Sequence, residues 1–158
     1  MFIPFRAGIF PATLGLLTSV LLLGPGCQRQ PDKWEQSRLP TVLVTGTVSL
    51  DGNPVEAATV IFHSEQHAVS ATAITAADGQ FSLRTYVPKD GAPPGEYTVS
   101  IEKVTENQKL PENPEAPLPP LEITYHLPKR YRSPKTSGLT ARVTEAGPNE
   151  FVFELSTK

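Results

Sequence analysis

The chain has 158 residues, room for one domain and little else. Charged residues at 19% and aromatics at 8% argue against a disordered tail, and 17 prolines with 11 glycines argue against an architecture of long helices. Fourteen basic against 16 acidic side chains, a formal charge of −2, provide no electrostatic footprint for nucleic acid.

Residues 1–26 contain no acidic side chain. Arg6 and the amino terminus supply positive charge, a mainly apolar stretch "AGIFPATLGLLTSVLLLG" follows, and small residues lead into Cys27. That order is the order of a bacterial export signal. An uncleaved membrane helix is the competing reading, although Pro11 and the interspersed Gly and Thr make a poor permanent span. Cys27 is the single cysteine, so it has no partner for an internal disulfide. The segment "LLLGPGC" resembles the lipobox of bacterial lipoproteins, with Gly26 at the cleavage position and Gly24 where leucine is usual. The resemblance implies cleavage before Cys27 and acylation of its thiol, several chains anchoring a domain where one binds only marginally. The alternative is ordinary secretion with a free thiol. Residues 27–41, with Pro31 and Pro40, then read as a polar tether in which Trp34 is expected to cap the domain's edge, with a membrane-interface anchor as the alternative.

From Val42 the pattern has period two. Val42, Val44, Gly46, Val48 and Leu50 share one face of a half-buried strand, and Thr45, Thr47 and Ser49 share the other. Asp51 and Gly52 supply a turn before "AATVIFHS", and "AVSATAITA" predicts a third strand. Asp78 and Gly79 turn the chain into "FSLRTY", where Phe81 and Leu83 share a face. After the loop "PKDGAPPG", Tyr97, Val99 and Ile101 alternate with Thr98, Ser100 and Glu102. Five prolines between residues 105 and 121 interrupt the rhythm and predict a long loop, either a stiff excursion between two sheets or a polyproline-like binding surface. The last pair of strands alternates through Leu139, Ala141 and Val143, then Phe151, Phe153 and Leu155. About seven strands and no capped helical pattern predict an all-β sandwich over residues 42–158. Val48, Phe62, Tyr97, Val99, Ile101, Phe151 and Phe153 are expected to face inward.

The ordered segments "VTGTVSLDGNPVEAATVIF", "TAADGQFSL" and "PPGEYTVSIEK" resemble the carboxypeptidase regulatory-like domains of the transthyretin-like superfamily. Gly46, Pro54, Ala58, Gly79, Phe81, Pro94, Gly95 and Tyr97 carry that resemblance. The tail "LPKRYRSPKTSGL" is similar to that of small exported lipoproteins with such a domain, through Pro128, Tyr131, Pro134, Thr136, Ser137, Gly138 and Leu139. The resemblance implies a Greek-key β-sandwich and leaves function open, because the fold supports unrelated roles.

Chemistry-bearing residues are few. His63, Glu65 and His67 are the weak candidates for a metal, but on an extended strand the two rings would stand about 13 Å apart and need a turn to converge. "YRS" at Tyr131–Ser133 invites comparison with hydroxyisourate hydrolases, yet it lacks their glycine and no histidine precedes His63. Tyr125, Tyr131, His126 and His63 are the only material for an iron site of the intradiol dioxygenase kind, without its spacing. No nucleophile elbow or phosphate loop is present in the sequence. The expectation is therefore a non-catalytic module without cofactor, lipid-anchored through Cys27 on the periplasmic face or the outer membrane of a bacterial envelope. Its expected partners are the membrane and an envelope protein or a polysaccharide. A small-ligand or metal-binding accessory domain is the alternative, and a transthyretin-like hydrolase a more distant one.

Overall fold

The computed structural model describes residues 32–108, 113 and 117–158. Alternating apolar side chains pull each strand onto one side of a sheet, and two such sheets bury their apolar faces against each other. The first sheet is built around β1 (Thr45–Leu50). It pairs in parallel with β10 (Glu150–Leu155), from Thr45 opposite Glu150 to Leu50 opposite Leu155. On its other side β1 takes two short antiparallel neighbours, β2 (Asn53–Pro54) and β5 (Gln80–Ser82). The second sheet has the order β4 (Ser70–Ile74), β3 (Thr59–His63), β6 (Gly95–Glu102), β9 (Leu139–Val143), all antiparallel. The molecule is an all-β sandwich, and the seven predicted strands are β1, β3, β4, β5, β6, β9 and β10.

Phe62 is at the centre of the core. Its ring is fully buried and meets Phe81, Tyr97, Phe151 and Phe153 at centroid distances of 5.6–6.4 Å, so one side chain ties both sheets together. Tilted and edge-on rings at such distances are favourable for the aromatic quadrupole. All seven residues expected inside face the core, with Phe151 only partly covered. One side of the sandwich is closed by the chain itself. Gln80–Ser82 pair with β1, and two residues later Arg84 exchanges backbone hydrogen bonds with Thr72 of β4.

Glycines are required where backbones crowd. A Cβ on Gly46 would lie 2.6 Å from Cζ of Phe81 and would overlap the carbonyl oxygen of Phe151. Gly91, at φ +82°, lies against the Val42 carbonyl just as closely. The Gly91 contact docks the segment before β1 onto the loop that precedes β6.

Two expectations need correction. The Pro-rich loop predicted from residue 105 starts later. Val104–Asn107 form β7, which pairs with β8 (Glu122–Tyr125) as a two-stranded arm separate from both sheets. Polar residues and prolines mask this ribbon, whose four β8 residues are all exposed. Trp34 does not cap the domain. It lies on α1 (Lys33–Gln36), closed by a reciprocal Asp32–Glu35 capping box, and is 80% exposed. The tether's end is instead held by Leu39, whose N–H donates to the Tyr86 hydroxyl at 3.1 Å.

The elements define two poles. The chain enters at the pole where Val42 bridges Ala92, three residues before β6 begins. β6 then runs eight residues, about 27 Å of extended chain, to the opposite pole. There the arm, the Asp51–Gly52 turn and the C-terminal tail meet.

Candidate functional site

Cys27 lies outside the described residues. Among those described, no helix is long and apolar enough to cross a membrane.

The histidines do not converge. His63 ends β3, its Nε2 2.9 Å from Oγ of Ser100, and burial lowers its pKa. His67 lies in the following bend, its Nε2 3.3 Å from the Pro94 carbonyl. Ser100 and Pro94 are six positions apart along β6 and its approach, roughly 20 Å of extended chain. Glu65 is exposed between the two histidines. Among the described residues no group of three His, Cys, Asp or Glu could hold a metal ion. The other candidates are also held apart. His126 Nε2 is 2.7 Å from the Thr105 hydroxyl, Tyr125 lies under a guanidinium, and Tyr131 reaches the tail.

The residues of the tail motif are structural. Pro128 and Pro134 frame a 3₁₀ turn (Lys129–Arg132) and α2 (Pro134–Ser137), with Ser133 as the N-cap and Gly138 left-handed at the C-cap. The Ser137 hydroxyl donates to the Val99 carbonyl at 2.6 Å, which locks α2 to β6 just before the start of β9. Tyr131 is buried, and its hydroxyl accepts the Ser156 N–H at 3.0 Å. The Arg130 guanidinium lies over the Tyr131 ring and donates to the Ser156 and Lys158 carbonyls.

Two clefts open at this distal pole. The first, about 310 Å³, is lined by Asp51, Lys103 and His126 together with Leu50, Val55 and Leu127. The Asp51 carboxylate accepts from the Thr157 hydroxyl at 2.7 Å and from its N–H at 3.3 Å, and these bonds hold its pKa below the ordinary value. The second, about 440 Å³, is lined by Lys129, Arg130, Arg132, Ser133 and Thr136. Beside it the arm exposes Leu121, Ile123 and Tyr125 at 45–48% each. Ile123 and Tyr125 share a face of the ribbon by the two-residue repeat, and the Arg132 guanidinium covers the Tyr125 ring at 3.8 Å.

Both features have a sequence signal that the strand-by-strand reading passed over. "LEITYH" alternates Leu121, Ile123 and Tyr125 with Glu122, Thr124 and His126, and "KRYRSPK" holds four cations in seven positions. No family model, no curated protein and no solved structure matches this chain.

Proposed function

We propose that this chain is a non-catalytic interaction module of a bacterial cell envelope, a transthyretin-like Greek-key β-sandwich anchored through acyl chains on Cys27. It contacts an envelope protein or a polysaccharide with the pole that carries the β7–β8 arm. The observation that carries the reading is the exposed apolar run Leu121, Ile123 and Tyr125 on a two-stranded ribbon. An isolated ribbon is marginal in water, and three strands or a packed face are needed for independent stability. Such an arm gains stability when another molecule covers it. Its position opposite the chain's entry supports a module that presents this pole away from the anchoring membrane. The enzyme and metal readings draw no comparable support, because His63, His67, His126, Tyr125 and Tyr131 are each held by a different group.

A photo-crosslinking residue at Ile123, in the full chain expressed in intact envelopes, tests the reading. One discrete crosslinked species is expected, and the same residue at Thr140, exposed on β9, should give none. Equal labelling from both positions, or from neither, refutes the arm as a contact surface. The accessory-domain reading rests on the cleft around Asp51, Lys103 and His126, which has the size of a small-ligand site.

A further inference from the structure

We propose that the cleft between the 3₁₀ turn and α2 is a binding site for the carboxylate groups of an acidic polysaccharide, with Tyr125 as the platform for a neighbouring sugar ring. The proposal rests on the interaction-module reading and assigns a ligand class to its distal pole.

Charge comes first. From His126 to Gly138 the chain carries Lys129, Arg130, Arg132 and Lys135 and no carboxylate. Arg130 is committed to the C-terminal tail. The other three make no ion pair among the described residues, where the only pair is Arg142 with Glu96. Lys129 and Arg132 line the cleft beside Arg130, and Lys135 lies on the adjoining helix; cations that share a cleft repel one another, and an anion relieves that repulsion.

Unspent donors come second. Arg132 gives one bond, from an amino group to the Leu127 carbonyl at 3.0 Å, while its Nε is buried with no partner. That nitrogen is sealed from the cleft, so the amino groups of the guanidinium are the donors a ligand can reach. Ser133 Oγ accepts from the Lys135 N–H at 3.4 Å, but its own hydrogen finds no acceptor among the described residues. An amine, a guanidinium and a hydroxyl thus line one cleft with donor capacity to spare. The backbone beneath them is stiffened by Pro128, Pro134 and the capped turn of α2, so little ordering remains to be done on binding.

The choice of polymer follows from the surroundings. Tyr125 is half-exposed with one ring face under Arg132. A flat amphipathic ring beside a cation suits the apolar face and the charged group of a uronic acid. Three cations on a chain of net charge −2 lack the extended basic footprint that nucleic acid requires. An anionic membrane is disfavoured because the chain enters at the other pole.

The test is calorimetric titration of the full chain, held in a neutral detergent, with polygalacturonate, dextran, poly-glutamate and phosphatidylglycerol vesicles. Polygalacturonate should bind with an affinity that falls as salt rises. Lys129 and Lys135 are exposed, so the double substitution Lys129→Gln, Lys135→Gln leaves the fold intact and should weaken binding by about tenfold or more. Tyr125→Ala should weaken it as well. No heat with polygalacturonate, unchanged affinity in the lysine double variant, or equal binding of dextran, poly-glutamate or vesicles overturns the assignment. If the Ile123 crosslink captures a partner while polygalacturonate is ignored, the interaction-module reading stands and the polysaccharide site falls.

Discussion

The hydroxyl of Tyr131 is 3.0 Å from the backbone nitrogen of Ser156, 25 residues further along the chain. This bond holds the tail that follows β10 against the turn that precedes α2, so the last strand and the cationic cleft share one support. Tyr131→Phe removes the acceptor and leaves the partly buried Ser156 N–H unpaired, which costs about 1 kcal/mol. Tyr131→Ala adds an aromatic-sized cavity and should cost about 3–5 kcal/mol. Urea denaturation of the two variants measures both steps. Equal losses would mean that the hydroxyl contributes nothing.

Gly46 is irreplaceable for steric reasons. Gly46→Ala drives a methyl into the Phe81 ring and the Phe151 carbonyl, and overpacking of this kind costs about 1–3 kcal/mol. Pairing it with Phe81→Leu should restore only part of the loss, because the carbonyl contact is with backbone and stays. Thermal denaturation of the single and double variants separates the two contacts.

Acid sensitivity should centre on the loop before β6. Burial alone would raise the pKa of Asp90, but N–H groups of Thr85, Tyr86 and Val87 donate to its carboxylate at 2.7–3.1 Å and bring it below 3.8. A carboxyl depressed in the fold stabilises above its unfolded pKa, and that stability is lost as pH falls through the folded value. Wild type should therefore exceed Asp90→Asn in melting temperature above pH 3.8, with the gap shrinking as pH drops further. A gap independent of pH would remove the charge from the explanation.

His63 contributes with the same sign at a higher pH. Burial lowers its pKa from 6.5, so below that pH the unfolded chain takes up a proton that the fold resists, and stability declines until the folded value is passed. Proton NMR titration of the ring should give a midpoint under 6.5, and a midpoint above it would contradict burial as the governing influence on the ring.

Cys27→Ser should leave the melting temperature unchanged, because the core is assembled from residues between Val44 and Leu155. The variant should fail to incorporate labelled fatty acid. Mass spectrometry of the native amino terminus decides the point: an unmodified thiol, or cleavage at another bond, means ordinary secretion.

Strand identity was a local property of this sequence. Period-two alternation is set by the pleat, so Val44–Gly46–Val48 and Tyr97–Val99–Ile101 declared their inner faces without reference to any partner. The Asp51–Gly52 and Asp78–Gly79 turns were equally legible, since positive φ at Asp51, Gly52 and Gly79 needs residues of that kind. The arm was obscured because prolines between its strands carry the stronger local signal, and pairing of Val104–Asn107 with Glu122–Tyr125 is a contact across the loop they form.

What only the tertiary structure decided was which polar residues share a place. His63 and His67, four apart in sequence, were separated because β3 ends at His63 and each ring met a different part of the β6 segment. Tyr125 and Arg132, Tyr131 and Ser156, and Asp51 and Thr157 were brought together from 7, 25 and 106 residues apart. Hydrophobic patterning specifies a face, because burial depends on the side chain alone. A hydrogen bond or a stacked cation depends on where a second segment arrives, and that is set by strand order and by the pole at which each loop emerges.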